Sequence, residues 1–318
     1  MRSKPYPDAI YHGDTRRRPF FEGWYFKQAN GISAFAAIPG VYMGKDALGD
    51  HAFIQIIFSM PPESRFIRFP VEEFSCTENP FEVRIGKNVF SMDGVRLDLP
   101  EIGLKAELTY AGHVPLRAGF MTPTIMGPFA YLPGMQCRHG VLSLWHRVNG
   151  SVHCGSRQLV FDGADGYIEK DWGGTFPDSW VWMQCGDSDM TLMCAIASIP
   201  LKLLRFTGVI CVLRAGDEQH RFATYNGAHV TRLVCDNGHV GAELERKDYR
   251  LIIEAQANEF GHLQAPTQTG MDRQIAESIS ARFVVRLERK GERIIEKQGL
   301  GGLELLEPQG LLLRNQKK

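Results

Sequence analysis

Short β-rich runs, closed by turn dipeptides about every eight to twelve residues, dominate this chain, and helical periodicity is nearly absent. The turn dipeptides are Asn30-Gly31, Asp93-Gly94, Asn149-Gly150, Asp162-Gly163, Asn226-Gly227, Asn237-Gly238 and Lys290-Gly291. The strands predicted between them include Gly23–Ala29, His51–Phe58, Leu104–Tyr110, Val141–Val148, Trp180–Gly186, Thr207–Arg214, Tyr249–Gln256 and Ala281–Arg289. This spacing is typical of sandwiches and barrels, so we expect an all-β fold with little helix.

The number of predicted strands exceeds what one closed barrel comfortably holds, so we expect two β-barrel or sandwich domains. The 318 residues are enough for two hydrophobic cores. The turn sequence DGADG, Asp162–Gly166, is the best place for a boundary, which gives domains 1–162 and 163–318. The Pro- and Gly-rich segment Met121–Gly134 is too apolar for a linker and predicts a covering loop.

Charge and cysteine usage limit the class of protein. Lys and Arg number 36 and Asp and Glu also number 36, so no net field attracts nucleic acid, and we expect none to bind. The seven cysteines include no CxxC pair, and the N-terminus has no apolar signal region, which predicts reduced thiols in a cytoplasmic protein.

The most apolar region, Met190–Leu213, is interrupted by Pro200, Lys202 and Arg205, so it does not predict a transmembrane helix. A peripheral membrane contact is one interpretation of this region. Two buried strands joined by a turn are the interpretation that we favour.

An acidic residue stands among aromatic residues near the N-terminus, in RRRPFFEGWYFK. Read as a strand, this segment places on one face the side chains of Phe20, Glu22, Trp24 and Phe26. A carboxyl buried on such a face tends to keep its proton and can act as a proton donor. The alternative is an ion pair between Glu22 and one of the arginines Arg16, Arg17 and Arg18, and the sequence favours neither.

Three of the five tryptophans lie in GYIEKDWGGTFPDSWVWMQCG, Gly166–Gly186. Period two places Tyr167, Glu169, Asp171 and Gly173 on one face, with Ile168, Lys170 and Trp172 on the other. Two carboxylates at positions i and i+2 repel, so one of them is expected to hold a proton unless a cation lies between them.

A second strand follows the Gly173-Gly174 turn in this segment and places Trp180, Trp182 and Gln184 on one face. Gln184 would need a polar partner there, either one of the acids or a ligand. The alternative is an ordinary hairpin whose indoles only fill a core.

The dipeptide Asn149-Gly150 predicts a two-residue hairpin in which His146 faces His153 across two strands. Two opposed imidazoles could bind a metal ion, but the sequence contains no third ligand at a standard spacing and no HExxH. We therefore predict a hydrogen-bonded pair and no metal. The sequence also lacks GxSxG, a P-loop and GxGxxG, which argues against the common hydrolase, nucleotide and dinucleotide folds.

Several segments resemble signature stretches of the tocopherol cyclase family, in the same order and at similar separations. They are FFEGWYFK (Phe20–Lys27), GYIEKDWGGTFPDSWVWMQC (Gly166–Cys185) and ANEFGHLQAPT (Ala257–Thr267), and GPFAYLPGMQCRHGVLS (Gly127–Ser143) resembles the bacterial form. The resemblance implies two lipocalin-like β-domains. It also implies the acid-catalysed closure of a chromanol ring in a prenylated quinol or related terpenoid, in which an acid protonates the alkene and the phenol oxygen closes on the resulting cation.

Such chemistry needs a proton donor, aromatic faces for a cation and no cofactor. The candidate acids are Glu169, Asp171 and Glu22. The candidate substrate-binding residues are Trp24, Tyr25, Trp172, Phe176, Trp180, Trp182, Gln184, His146 and Asn258. The competing interpretations are a non-catalytic, lipocalin-like carrier of an apolar terpenoid or lipid, and a structural β-protein with a solid core.

Overall fold

The structure is a computed structural model that describes residues 10–13, 18–45, 49–201 and 204–311. Most of these residues belong to antiparallel β-strands, which confirms the all-β prediction. Helix in the described ranges is limited to one turn at 309–311 and to the short 3-10 segments Val71–Glu73, Pro100–Ile102, Gly127–Tyr131 and Thr224–Asn226. All eight strands predicted from the sequence lie within observed strands.

The first sheet has 11 strands in the order β4-β3-β2-β1-β11-β10-β9-β8-β7-β6-β5. The strands are β1 (Phe20–Ala29), β2 (Ala34–Met43), β3 (His51–Ser59), β4 (Pro62–Phe69), β5 (Phe74–Glu78), β6 (Phe81–Ile85), β7 (Asn88–Ser91), β8 (Gly94–Leu99), β9 (Leu104–Val114), β10 (Cys137–Cys154) and β11 (Arg157–Gly173). The pairing of β1 with β11 joins two sequence segments that are about 140 residues apart, and this pair carries all three candidate acids.

The second sheet has ten strands, in the order β15-β14-β13-β12-β21-β20-β18-β17-β16, with β19 paired to β20. The strands are β12 (Trp180–Gly186), β13 (Met190–Leu201), β14 (Leu204–Ala215), β15 (Glu218–Ala223), β16 (His229–Asp236), β17 (His239–Arg246), β18 (Tyr249–Gln256), β19 (Gly261–Ala265), β20 (Arg273–Arg289) and β21 (Glu292–Leu306). The apolar region Met190–Leu213 forms β13 and most of β14, as the two-strand interpretation expects.

The chain divides into two compact units, each with its own hydrophobic core. The first unit comprises residues 1–124, 132–176 and 263–274, and the second comprises 125–131, 177–262 and 275–318. The division falls between Phe176 and Pro177 rather than at residue 162, because β11 runs without interruption through Asp162–Gly166.

The two-residue hairpin predicted at Asn149-Gly150 is wrong, since both residues lie inside β10. The turn between β10 and β11 is formed by Gly155 and Ser156. At Gly150 the register shifts, φ is +129°, and an added Cβ would lie 2.0 Å from the carbonyl oxygen of Glu107. Gly150 therefore lies in a β-bulge. Bulges and tight turns both favour glycine, which is why the sequence predicted a turn here.

His146 and His153 consequently lie at different positions of the same strand, β10, and do not face each other. In the register with β11, His146 is opposite Gly166, and His153 is opposite Gln158. The proposed pair of opposed imidazoles does not form.

The two faces of the β1–β11 pair differ in their surroundings. The inner face carries Glu22, Trp24, Lys170 and Trp172, and its apolar members Trp24, Phe26 and Ile168 belong to the first hydrophobic core. The outer face carries Tyr25, Tyr167, Glu169 and Asp171. Because directly opposite residues of antiparallel strands share a face, these assignments follow from the register alone.

The apolar segment 121–134 is only partly buried. Ile125, Met126 and Gly127 are buried, whereas Met121 and Leu132 are exposed. Within the described ranges, no helix has both the length and the apolar character that crossing a bilayer requires.

Candidate functional site

Glu22 is completely buried on the inner face and is held by a lysine. The ammonium of Lys170, also fully buried, donates to Glu22 Oε1 at 2.8 Å, and to the carbonyl of Ile10 at 2.5 Å. The backbone N–H of His12 donates to Glu22 Oε2 at 2.8 Å. The ion-pair interpretation of Glu22 is therefore the observed one, but its partner is Lys170.

The arginines predicted for this pairing are elsewhere. Arg18 forms a bidentate pair with Asp50, at 2.6 and 2.7 Å, and Arg16 and Arg17 lie outside the described residues. A buried pair whose remaining hydrogen bonds are satisfied serves to fix a local structure more than to provide a mobile proton.

Two tryptophans complete this inner-face cluster. The Lys170 ammonium lies 5.2 Å from the ring of Trp24 and 4.6 Å from the ring of Trp172. The His12 imidazole stacks on Trp172 with centroids 4.3 Å apart and ring planes 9° apart, and its Nδ1 accepts from Lys170 at 2.9 Å. The predicted neighbourhood of Glu22, Trp24 and Trp172 is thus present, with the cation–π partner supplied by the protein itself.

The other two candidate acids lie on the outer face, on either side of a histidine. His139 Nδ1 is 2.9 Å from Asp171 Oδ1, and His139 Nε2 is 3.2 Å from Glu169 Oε2. The hydroxyl of Tyr167 donates to Glu169 Oε2 at 2.6 Å. The cation that the repulsion argument required between the two carboxylates is therefore His139, which belongs to β10 and stands opposite Asp171 in the register.

The charge state of this outer-face triad, His139, Glu169 and Asp171, follows from its geometry. Burial alone lowers the pKa of His139, but the charges of Asp171 and Glu169, with the hydrogen bond to Asp171, raise it well above its ordinary value. Burial, with the charge of Glu169, raises the pKa of Tyr167 well above its ordinary value as well. The triad is accordingly an imidazolium between two carboxyl groups, with a neutral phenol attached.

The alignment of His139 differs on its two sides. Nδ1 makes a hydrogen bond to Asp171, whereas Nε2, in the part of the chain that the structure describes, has no acceptor in hydrogen-bond alignment despite its closeness to Glu169. The Asp171 side chain is 27% exposed and that of Glu169 is 6% exposed. Asp171 is therefore the member of the triad that a ligand can reach.

The same three side chains could hold a metal ion, since one ligand atom from each lies within 4.8 Å of the others. A histidine must be neutral to bind a metal ion, however, and the raised pKa of His139 keeps a proton in that place. A cation and a proton would compete for the triad.

The surface beside Asp171 is formed by two glycines and an aromatic ring. In the register, Asp171 is opposite Gly23 on β1, Gly23 is opposite Gly40 on β2, and Gly40 is opposite Phe53 on β3. An added Cβ on Gly40 would lie 2.3 Å from Phe53 Cζ, so the phenyl ring lies over this glycine. An added Cβ on Gly23 would meet Phe53 Cζ at 3.7 Å. The glycine row beside Asp171, Gly23 and Gly40, is therefore bordered by Phe53 and by Ile38, whose Cγ2 would also lie 3.7 Å from a Cβ on Gly23.

Other aromatic side chains share the outer face. Tyr25 is opposite Glu169 and is 6% exposed. Phe21 is opposite Gly173, and its ring centroid is 4.9 Å from that of Phe176. Of the predicted substrate-binding residues, Tyr25 and Phe176 therefore accompany the outer-face triad, and Trp24 and Trp172 do not.

The second unit carries its own buried aromatic and acidic group. Trp180, Trp182 and Gln184 are buried along one face of β12, as the alternation predicted, and the apolar core contains the residues between them. The indole of Trp180 donates to Glu304 Oε2 at 3.0 Å. Glu277 on β20 is buried and lies directly opposite Glu304 on β21.

Two predicted ligand contacts lie away from the outer-face triad. His146 is fully buried, with its Nδ1 3.1 Å from Ser143 Oγ, and burial lowers its pKa well below the ordinary value. Its ring centroid is 4.4 Å from that of Tyr110, a residue of the first core. Asn258 follows β18 and is exposed.

Sequence reasoning missed His139, Lys170, Gly23, Gly40 and Phe53 as parts of these clusters. His139 precedes the predicted strand Val141–Val148, whereas the observed β10 begins at Cys137. The motif RHG just before an apolar alternating run was the available signal. Lys170 was assigned to the correct face of β11 but without a partner.

Comparison with known proteins identifies the relatives of this chain. A family model described as Tocopherol cyclase-like matches residues 123–305, more than half of the chain. The rice (Oryza sativa subsp. japonica) protein named "Probable tocopherol cyclase, chloroplastic" is 25% identical over 329 aligned residues, which cover 82% of this chain and 68% of that protein. The tocopherol cyclase of Zea mays chloroplasts is 24% identical, over 58% of this chain and 50% of that protein.

Solved structures share the fold at low sequence identity. CghA bound to Sch210972 superposes with a TM-score of 0.60 at 12% identity, over 90% of this chain and 88% of that one. A candidate AttH from Nitrosomonas europaea gives 0.57 at 12% identity, over 94% and 95%. Kievitone hydratase from Nectria haematococca gives 0.53 at 13% identity, over 90% and 88%. The lipocalin-like β-fold is common to these proteins.

Proposed function

The chain belongs to the tocopherol cyclase-like family, and from that membership and the outer-face triad we propose that it is a cofactor-independent enzyme that closes a ring in a prenylated phenol or quinol. Asp171 is the proton donor, His139 and Glu169 fix its charge environment, and the product is of the chromanol type. The ligand is small and largely apolar. The observation that carries this proposal is a reachable carboxyl group, held by a buried imidazolium 2.9 Å away, with Phe53 as its aromatic neighbour.

Ring closure by this route is an isomerisation in which every atom is kept. Asp171 delivers a proton to the alkene carbon that yields a tertiary cation, and the phenol oxygen forms the new C–O bond to that cation. The proton released by the phenol returns to the Asp171 carboxylate. No electrons are exchanged with a third group, so the step needs neither an oxidant nor a reductant.

The triad supports both halves of this cycle. In the first half, the His139 imidazolium passes to Asp171, across their 2.9 Å contact, the proton that Asp171 delivers, and in the second half the proton returns to His139 through the Asp171 carboxylate. Glu169 with Tyr167 holds the His139 ring in place from the other side. Phe53, Phe21 and Tyr25 present aromatic faces that can stabilise a cation without trapping it. Water would trap the cation, and the burial of these three aromatic side chains limits its access.

Incubation with a prenylated hydroquinone in D₂O tests the reaction directly. The expected product is a chromanol that carries one deuterium, on the ring carbon next to the new quaternary carbon. A protein that binds the hydroquinone and returns it unchanged would be the carrier, and a protein that does not bind it would have neither function.

A further inference from the structure

Tyr42 on β2 has a buried hydroxyl group that lacks a partner. Its side chain is 1% exposed, and its hydroxyl makes no hydrogen bond to any residue in the described part of the chain. A buried tyrosine hydroxyl normally finds a partner, because an unpaired one loses its hydrogen bonds to water without replacement. None of the described residues supplies a partner for this hydroxyl, which leaves it available to a ligand.

The register places Tyr42 on the outer face, near Asp171. Tyr42 is opposite Phe21 on β1. It lies two positions after Gly40 on β2, and Gly40 is in line across the strands with Gly23 and Asp171. Two strand spacings separate Gly40 from Asp171, which corresponds to about 10 Å. A ligand that touches Asp171 and lies along the glycine row therefore extends toward Tyr42.

His51 lies beside Tyr42 and provides an acceptor. The two residues are directly opposite each other, with ring centroids 5.6 Å apart. His51 Nδ1 is 2.8 Å from the carbonyl oxygen of Gly49, which can only accept, so Nδ1 carries the hydrogen. Burial lowers the pKa of His51, which is consequently neutral, and its Nε2 has a lone pair. A hydroxyl donor and an imidazole acceptor therefore stand side by side.

The hydrogen-bonding groups of this pair argue against an anionic ligand at this place. Burial, and then the carboxylates of Asp272 and Asp50, raise the pKa of Tyr42, but Asp50 is itself paired with Arg18. The lone pair of the neutral His51 Nε2 would face a carboxylate group, which has no hydrogen to donate. A neutral hydroxyl, which can both accept from Tyr42 and donate to His51, fits the pair.

We propose that Tyr42 and His51 bind a neutral hydroxyl group of the substrate on the outer face. The identity of the substrate rests on the proposed function. In a prenylated hydroquinone, the oxygen that closes the ring lies beside the alkene at Asp171. The hydroxyl on the far side of the aromatic ring is then the one that reaches Tyr42.

Binding measured without turnover tests this inference. The variant Tyr42→Phe is compared with its parent in an Asp171→Asn background, using a prenylated hydroquinone and the prenylated phenol that lacks the far hydroxyl. Tryptophan fluorescence gives both dissociation constants. We expect Tyr42→Phe to weaken hydroquinone binding by about tenfold, the loss of one hydrogen bond, and to leave binding of the phenol unchanged, because the phenol has no oxygen there to accept from Tyr42.

The matched control is Tyr110→Phe, which removes a hydroxyl that is bonded to Gln28 on the inner face and should not alter either constant. Thermal unfolding should show Tyr42→Phe to be at least as stable as its parent, since the hydroxyl it removes is unpaired. Equal hydroquinone affinity in Tyr42→Phe and its parent, or no binding to the parent, would overturn the inference. Wild-type protein that makes no chromanol but binds in a Tyr42-dependent way would overturn only the proposed function.

Discussion

Glu22 and Asp171 project from opposite faces of one strand pair, because Glu22 is opposite Trp172 and Asp171 is opposite Gly23. The two acids therefore belong to different environments although the strands that carry them are hydrogen-bonded neighbours. Glu22 is closed off by Lys170 on the core side, whereas Asp171 is presented on the outer face beside His139. From this separation we propose a structural role for Glu22 and a chemical role for Asp171.

The structural role of Glu22 predicts a large loss of stability on substitution. Glu22→Gln leaves the Lys170 ammonium buried without its counter-charge, which should lower the free energy of unfolding by about 3–5 kcal/mol in urea denaturation. The matched control is Asp178→Asn, because the pair of Asp178 with Arg205 is about half exposed. This variant should lower the free energy of unfolding by roughly 1 kcal/mol at most. Equal losses of stability in the two variants would mean that the buried pair contributes no more to stability than the exposed one.

Two of the three histidines of β10, His139 and His146, should give opposite pH dependences of stability. The folded protein holds the His139 proton more tightly than the unfolded chain does. Its contribution is therefore complete below the unfolded pKa of about 6.5 and is lost as the pH rises through the raised folded pKa. His146 stays neutral when folded, so stability is lost as the pH falls below about 6.5 and the unfolded chain takes up a proton.

Urea denaturation of the wild type, His139→Gln and His146→Gln, at pH values below and above the unfolded histidine pKa of about 6.5, measures both effects. The stability difference between the wild type and His139→Gln should shrink toward high pH, and that between the wild type and His146→Gln should shrink toward low pH. A difference that is constant with pH for either histidine would contradict the assigned charge state.

The glycine row makes a prediction about two similar substitutions. Gly40→Ala should destabilise the fold by about 1–3 kcal/mol, because its Cβ would meet Phe53 Cζ at 2.3 Å and the backbone oxygen of Glu22 at 2.8 Å. Gly23→Ala finds ordinary contacts at 3.7 Å and should keep its stability within about 0.5 kcal/mol. It should nevertheless lower kcat/KM by about tenfold or more, since the methyl group stands beside Asp171. Full activity in Gly23→Ala would show that the substrate does not use this row.

The competition between a proton and a metal ion at the triad can be measured. EDTA should leave cyclisation unchanged, and added Zn²⁺ should inhibit it, because the ion must displace the proton from His139. Inhibition should weaken as the pH is lowered. Loss of activity with EDTA, restored by a metal, would instead assign the triad as a metal centre.

The alternation of residues predicted much of this arrangement. Period two correctly separated Glu169 and Asp171 from Lys170 and Trp172 on β11, and grouped Glu22 with Trp24 on β1. It could not show which face of one strand matches which face of the other, because that depends on the register between segments about 140 residues apart. Trp24 and Trp172 were both candidate substrate-binding residues, but they accompany Glu22 and not the two acids of the outer-face triad.

Other parts of the site depend on features that a single sequence hides. His139 contacts Asp171 across two strands, and the local motif RHG draws attention to this histidine without showing that its partner is an acid on β11. Asn149-Gly150 has the composition of a tight turn, but the long β10–β11 pairing turns it into a bulge. By contrast, Asn237-Gly238 and Lys290-Gly291 form the predicted turns, with positive φ at all four residues, because no longer-range pairing competes there.

The most direct test of the central claim is chromanol formation by Asp171→Asn, with hydroquinone binding measured in the same preparation. The amide keeps the shape of the side chain but cannot deliver the proton, so turnover should fall by roughly 10²–10⁴-fold while the dissociation constant stays nearly unchanged. Asp162→Asn, an exposed residue of the same strand, should retain full turnover. Wild-type turnover in Asp171→Asn, or a loss of turnover fully explained by lost binding, would contradict the assignment of Asp171 as the acid.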